Sequence, residues 1–332
     1  MTVSLQDIAE RAGVSTMTVS RAIRGVNGVG DEMRQKIRDL ANEMGYVPNQ
    51  VASNLASRRT RTIGIVAPRL ERFYPQVAMA IEDVLVDAGY YQLLCCSRDN
   101  TKREYDVVSD LLRRRVDGVV FASASMTKSR ETVKLLKRQQ VPVVLFNSAI
   151  ENTDEDLIVF DDAGGACDAV TRMIEDGRRR LVHVGGPTGN WVAHERCRGY
   201  IEAMSNASLP VMDADIIRGG LSTEDGIAAA QSILRRRQLP NGIFCVNDLV
   251  AMGICTAFQE EGIPIPREVA ITGFGQEMET DLLQMPIATV RQDAAELGRQ
   301  AAYALLKRIE DPHFCKHPPL RQVLPVQYRE CH

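Results

Sequence analysis

Along residues 5–12 the apolar positions Leu5, Ile8, Ala9 and Ala12 fall at i, i+3, i+4 and i+7, the spacing that lays one buried stripe along a helix. Ser4 stands where an N-cap belongs, Asp7 is three residues on as its capping-box partner, and Gly13 stops the helix. Val14 follows, and Ser15 caps a second helix over residues 16–24 that ends at Gly25. Asp31 is placed to cap a third helix from about 32 to 44, with Ile37, Leu40, Ala41 and Met44 inward and Gly45 as the stop. Two short helices joined by a Gly-containing turn make a helix-turn-helix, and a third is needed to close so small a core. On the second helix Val19 and Ala22 turn inward, leaving Thr16, Met17, Ser20, Arg21 and Arg24 outward. Small polar residues and arginines there suit base edges and phosphates. The blander reading of the same pattern is a three-helix bundle whose second helix is merely polar.

From residue 62 the pattern changes to short Val- and Ile-rich runs, each followed by a helical stretch. Strands are expected at 62–67, 92–97, 118–122, 143–146, 157–160, 181–184, 216–218, 242–246, 270–274 and 288–291, with a last strand-like segment at 322–326. Helices are expected at 75–88, 102–114, 129–139, 164–175, 196–204, 224–236, 248–261 and 294–308. Strand and helix in alternation mean parallel sheets covered on both faces. The expected fold is a small all-α helix-turn-helix head on an α/β body of two doubly wound parallel-sheet subdomains. Ligands in such sheets sit outside the carboxyl ends of the strands, often between domains. The informative residues are therefore Arg69, Arg98, Asn147, Asp161, Asp162, Gly185, Gly186, Gly219, Gly220, Asn247, Asp248 and Gly275. They suit a hydroxyl-rich or anionic ligand and assemble no catalytic set.

Composition narrows the class. A chain of 332 residues with 45% apolar and 25% charged positions is that of a folded soluble protein of two or three domains. Apolar runs such as 141–146 are far too short to span a bilayer. The first residues lack the basic and apolar regions of a secretory signal, and eight cysteines without a C-x-x-C read as reduced thiols, so a cytoplasmic location is expected. Charge is uneven: residues 1–61 hold nine Lys and Arg against six Asp and Glu, the remainder 31 against 37. A basic head on an acidic body fits a head that meets a polyanion. There is no nucleophile elbow, P-loop or dinucleotide glycine fingerprint. No two histidines have zinc-ligand spacing, so no metal and no cofactor is expected. His183 reads as a packed core histidine and His194 as part of a pocket loop. The arginine triplets at 113–115, 178–180 and 235–237 read as solvated cations at helix ends.

Residues 5–21, Leu-Gln-Asp-Ile-Ala-Glu-Arg-Ala-Gly-Val-Ser-Thr-Met-Thr-Val-Ser-Arg, resemble the N-terminal signature of the lactose/galactose repressor (LacI/GalR) family. Residues 45–55, Gly-Tyr-Val-Pro-Asn-Gln-Val-Ala-Ser-Asn-Leu, resemble that family's hinge. Less specific landmarks of its periplasmic-binding-protein-like effector domain recur at 117–120, 184–187, 196–200, 244–248 and 270–275. The resemblance implies a DNA-binding domain over 1–48, a hinge helix or linker over 49–61, and an effector-binding and dimerisation domain over 62–332. The two subdomains would span approximately 62–161 plus 291–320, and 162–290 plus 321–332. DNA contacts are then expected from Ser4, Leu5, Ser15, Thr16, Met17, Thr18, Ser20, Arg21 and Arg24, and from the hinge residues Asn49, Ala52 and Leu55. In the family the hinge helix forms on the operator and its leucine, here Leu55, wedges into a minor-groove step. Effector contacts are expected from Arg196, in the family's R-x-x-G-[FYW] pattern, and from Arg69, Phe73, Tyr74, Asn147, Asp161, Trp191, Asn247 and Gln292. A structural salt bridge is the alternative for Arg196, and loop polarity or local capping for the others. One departure stands out: many relatives carry Gly-[Tyr/Phe]-Asp where this chain reads Gly273-Phe274-Gly275. Losing that carboxylate, with Arg69, Arg72 and Arg196 nearby, is compatible with a sugar acid or sugar phosphate.

The expected function is a DNA-binding transcriptional regulator, a repressor of carbohydrate-metabolism genes. Its partners would be a second copy of itself, a pseudo-palindromic double-stranded operator and a small carbohydrate-like effector bound between the subdomains. It is not expected to be an enzyme or to meet a membrane. The rivals are a sugar-binding sensor without an operator, an enzyme on a doubly wound fold, which the lack of any nucleophile–base or metal set disfavours, and an activator or corepressor-dependent regulator of the same family.

Overall fold

The computed structural model describes residues 3–47, 59–275, 284–311, 313 and 317–330, and the chain divides into two compact units, residues 1–60 and 61–332. The first unit is three helices: α1 (Leu5–Ala12), α2 (Thr16–Arg24) and α3 (Asp31–Glu43). Its core is Ile8, Ala9, Val19, Ala22, Ile37 and Ala41, with Leu5, Ala12, Leu40 and Met44 packed at the edge. Ser4 and Asp7 form the reciprocal capping box, the Ser15 side chain accepts from the Thr18 amide, and Gly13 and Gly25 close α1 and α2 at positive φ. α3 differs from expectation. Asp31 is its first residue rather than its cap, and Gly30 holds the cap position without a side-chain bond. The Asp31 carboxylate instead lies at the positive end of the helix dipole.

The second unit contains two six-stranded sheets. The first is built from β1 (Thr62–Ala67), β2 (Tyr91–Cys96), β3 (Gly118–Phe121), β4 (Val143–Phe146), β5 (Asp156–Phe160) and β11 (Arg321–Leu324), in the order β11-β5-β4-β3-β1-β2. The second is built from β6 (Leu181–Gly185), β7 (Ile216–Arg218), β8 (Gly242–Cys245), β9 (Ala270–Thr272), β10 (Ile287–Arg291) and β12 (Gln327–Arg329), in the order β12-β10-β9-β8-β6-β7. All pairings are parallel except β10 with β12. The expected single strand at 322–326 is thus two strands in two sheets. Pro325 separates them, because a proline has no N–H to carry a ladder onward. β11 therefore joins the first sheet, not the second as the expected subdomain limits had it.

Helices α4 (Phe73–Asp87), α5 (Thr101–Arg113), α6 (Arg130–Arg138) and α11 (Ala294–Glu310) flank the first sheet. Helices α7 (Asp162–Glu175), α8 (Trp191–Asn206), α9 (Thr223–Leu234) and α10 (Asp248–Glu260) flank the second. Strands such as β3 and β4 are buried along their whole length, which is why they read as unbroken apolar runs. Close helix pairing uses glycine: a Cβ at Gly199 of α8 would meet the Ala163 carbonyl of α7, and one at Gly253 of α10 the Thr223 carbonyl of α9. α8 starts at Trp191, five residues before the expected position, so Trp191 and His194 lie on a helix rather than in a loop. The Arg178–Arg180 triplet also does more than meet solvent: Arg178 donates to the carbonyls of Pro266, Arg267 and Glu268, and Arg180 to that of Leu239.

Candidate functional site

Two places gather the residues singled out by the sequence. The first is α2. Its inner side, Val19 and Ala22, is locked into the three-helix core, so its outer side has a fixed orientation. Thr16, Met17, Arg21 and Arg24 are exposed, and Thr18 and Ser20 half-buried. Met17 keeps 64% of its surface in water, on the same outer side as Arg21 and Arg24. No acidic residue lies in the first turn of α2, so its positive dipole end stays uncompensated and open to a phosphate. Ser15 and Thr18 share a hydroxyl contact of 2.8 Å at the cap. Ser4 is held in the capping box of α1, and Leu5 packs against the core, so the start of α1 offers backbone amides rather than the Leu5 side chain. Asn49, Ala52 and Leu55 lie outside the described residues.

The second place is where the carboxyl ends of both sheets carry polar side chains. On the first sheet, Asn147 follows β4 at φ +54° and donates through Nδ2 to the Tyr74 hydroxyl at 3.4 Å. Its Oδ1 is buried without a hydrogen-bond partner. Phe73 and Tyr74 open α4, stacked edge-on to Phe160 and Phe146. Arg69 pairs with Asp99 at 2.6 Å. Burial pushes the Tyr74 hydroxyl up to about 12, against the lowering pull of the Asn147 bond and of the Arg69 and Arg196 charges. Tyr74 therefore stays a neutral donor and acceptor.

On the second sheet Arg196 is buried, 4% exposed. Its Nε donates to Asp162 Oδ1 at 2.8 Å, its Nη1 to the Val246 carbonyl at 2.6 Å, and its Nη2 to Gln292 Oε1 at 3.1 Å. Its Cζ lies 3.6 Å from the centre of the Phe274 ring. Burial raises the Asp162 carboxyl and lowers Arg196, while their mutual attraction favours both charges. Asp162 Oδ2 is a second buried acceptor without a partner. The carboxylate beside Arg196 is Asp162, whereas Asp161, expected as an effector contact, is exposed and caps α7 through the Gly164 amide. Asn247 is likewise spent locally, capping α10 at Val250 and donating to the Leu221 carbonyl. Trp191, of the second subdomain, packs against the core cluster of the first, and the Met126 amide donates to the Gly189 carbonyl at 2.9 Å. The two subdomains thus meet at Trp191 and Gly189.

Comparison with known proteins decides the family. Residues 4–49 match the model of the bacterial regulatory proteins of the lacI family, and residues 170–330 that of a periplasmic binding protein-like domain. Catabolite control protein A of Priestia megaterium is 32% identical over 92% of each chain. This chain belongs to the LacI family. The transcriptional regulator CelR, solved as a complex with cellobiose, is 26% identical over 99% of this chain and all of its own, with a TM-score of 0.75. The lac repressor dimer solved on its operator with the anti-inducer ONPF shares the fold at a TM-score of 0.90 and 23% identity, covering 100% and 99% of the two chains. As a LacI-family member the chain is a DNA-binding transcriptional regulator and not an enzyme. Of the expected effector residues, the structure links Tyr74 with Asn147 and Arg196 with Gln292, and adds Asp162 and Phe274. Asp162, read from the sequence only as a strand-end residue, could have been paired with Arg196 from the rule that a buried arginine needs a buried partner. The choice between adjacent carboxylates depends on which one starts the helix.

Proposed function

We propose that this regulator is a repressor of carbohydrate-metabolism genes that works in the cytoplasm as a homodimer on a pseudo-palindromic operator. It loses operator affinity when a small carbohydrate occupies the cleft between its subdomains. The observation that carries DNA binding is α2, a doubly capped helix with Thr16, Met17, Ser20, Arg21 and Arg24 on its free face. Such a helix reads the edges of a few base pairs in one major groove, and a two-fold dimer places two of them on successive half-sites. Leu55 of each hinge wedges into the minor groove between them.

The cleft favours a neutral, hydroxyl-rich effector over a sugar acid or phosphate. Arg196 is neutralised by Asp162 and Arg69 by Asp99, so neither calls for a ligand anion. Asn147 Oδ1 and Asp162 Oδ2 are buried acceptors without a partner, and a movement that opened them to the cleft would offer them to hydroxyl donors rather than to an anion. CelR, bound to cellobiose, is a precedent in a similar protein. A ligand that prefers the off-operator arrangement of the subdomains weakens DNA binding by linkage.

The test begins with selection of operators from random DNA by the purified protein. Enrichment of a two-fold sequence, weakened by Arg21→Ala at about 1–3 kcal/mol, supports the reading. Recovery of no sequence makes the protein a sensor without an operator. Thermal unfolding against sugars, sugar acids and sugar phosphates then names the effector, since saturation at 100 times the dissociation constant adds about 2.7 kcal/mol of stability. Hits confined to acids or phosphates overturn the neutral-ligand reading. A hit that tightens operator binding makes the protein corepressor-dependent.

A further inference from the structure

α8 divides its surface between two sites. Arg196 faces the cleft, whereas His194, Cys197, Arg198 and Ile201, at i, i+3, i+4 and i+7, line a separate cavity of about 320 Å³. The other walls are the segment 185–190, Ile216 and Arg218 of β7, Met126 of the first subdomain, and His183 of β6. Arg196, Asp162, Tyr74 and Asn147 take no part in it.

His183 gives the cavity its chemistry. The ring is fully buried and stacked between Tyr200 and Phe244. Nδ1 lies 3.0 Å from the Phe244 carbonyl, an acceptor only, so Nδ1 carries the proton. Burial drives the ring's pKa down to about 4, which leaves it neutral at physiological pH. Nε2 is then a lone-pair acceptor, and it has no partner. Nε2 points toward Gly185, itself a wall of the cavity and the β6 partner of Arg218 in β7. Gly185 keeps that side open: a Cβ there would lie 3.0 Å from Nε2. An orphaned buried acceptor is costly, and a ligand donor would recover that cost. The second feature is charge. No Asp or Glu lines the cavity, Arg198 is held by Glu195 at 2.6 Å, and Arg218 makes no hydrogen bond or ion pair among the described residues.

We propose that this cavity is a second ligand site, distinct from the effector cleft, for a small hydroxycarboxylate whose carboxylate meets Arg218 and whose hydroxyl donates to His183 Nε2. An amino acid fits less well, because no carboxylate lines the cavity to receive its ammonium, and the one beside it, Glu195, already holds Arg198. The wall includes Met126, whose amide binds Gly189, so occupancy bears on the contact between the subdomains.

Calorimetric titration of the full-length protein with L-lactate and D-glycerate tests the site, with propionate and glycerol as probes lacking the hydroxyl or the carboxylate. The expected result is binding of the two hydroxycarboxylates, each control at least about tenfold weaker, a difference of about 1.4 kcal/mol. His183→Phe keeps the aromatic stack and removes the acceptor, and exposed Arg218→Gln removes the cation. Each should cost about tenfold. No heat with either hydroxycarboxylate up to about 10 mM, beyond the millimolar range of a weak specific site, overturns the proposal. So does binding that survives Arg218→Gln, or binding abolished by Tyr74→Phe, which would place the ligand in the cleft. Should His183→Phe fail to fold, Arg218→Gln and the propionate comparison decide alone.

Discussion

Asp161 and Asp162 are adjacent carboxylates with opposite physical situations. Asp161 sits in water and offers one oxygen to the Gly164 amide, whereas Asp162 is buried against the Arg196 guanidinium. Removing one member of a buried pair strands the other charge, which costs on the order of 3–5 kcal/mol. Asp162→Asn should therefore lower the denaturant midpoint strongly, while Asp161→Asn, which keeps a good cap, should change it by a few tenths of a kcal/mol. Equal effects would mean that the two carboxylates are interchangeable. His183 sets a pH dependence of definite sign. Its folded pKa, about 4, lies below the ordinary 6.5, so between those values the unfolded chain takes up a proton that the folded chain refuses. Stability then falls as pH drops through that window and levels off below it, by roughly 3 kcal/mol in all. Urea unfolding across the window should show this slope in the wild type and its loss in His183→Phe. A variant with the same slope as the wild type would assign it to other groups.

The elements show which parts of the chain were legible and why. α1 and α2 were readable to the residue because every signal for them is local: apolar spacing, serine caps and glycine stops all lie within a few residues. That locality is itself testable. Ser15→Ala removes the bond to the Thr18 amide and should cost about 1 kcal/mol, about a fivefold loss of hydrogen-exchange protection in α2, with the 61–332 unit unchanged. Unaltered protection would mean that packing of Val19 and Ala22 alone sets the start of the helix. α8 was legible only in part. Asn190, whose side chain accepts from Ala193, is a proper cap signal, yet Trp191 to Glu195 carries no clean apolar stripe because Trp191 packs on the other subdomain. β11 and β12 were illegible for a related reason. Their assignment to different sheets depends on partners, Leu157–Phe160 and Thr289–Arg291, far away in the chain. The cleft followed the same rule: Arg196 was visible as a motif, but its buried partner 34 positions earlier emerges only once α7 and α8 pack.

At the scale of the molecule, regulation requires that the cleft have two arrangements with different affinities for the effector. The described arrangement is held at the junction by Trp191 against the first subdomain's core and by the Met126–Gly189 hydrogen bond. Neither is strong alone. A single hydrogen bond nets about 1 kcal/mol, and a half-buried indole adds only part of the value of its full burial. A coupling of about 1–3 kcal/mol, the usual size for such control, is comparable to either contact. Trp191 is the only tryptophan of the chain, so its emission reports this junction without labelling. On the proposed scheme, in which the effector parts the subdomains and frees the operator, the indole should become exposed and its emission red-shift with the same midpoint as operator release. Trp191→Phe, which keeps an aromatic but loses contact area, should shift the equilibrium toward the parted form and lower the effector concentration needed for release. An emission that stays fixed while the operator is released would place the moving element elsewhere and leave Trp191 as packing alone.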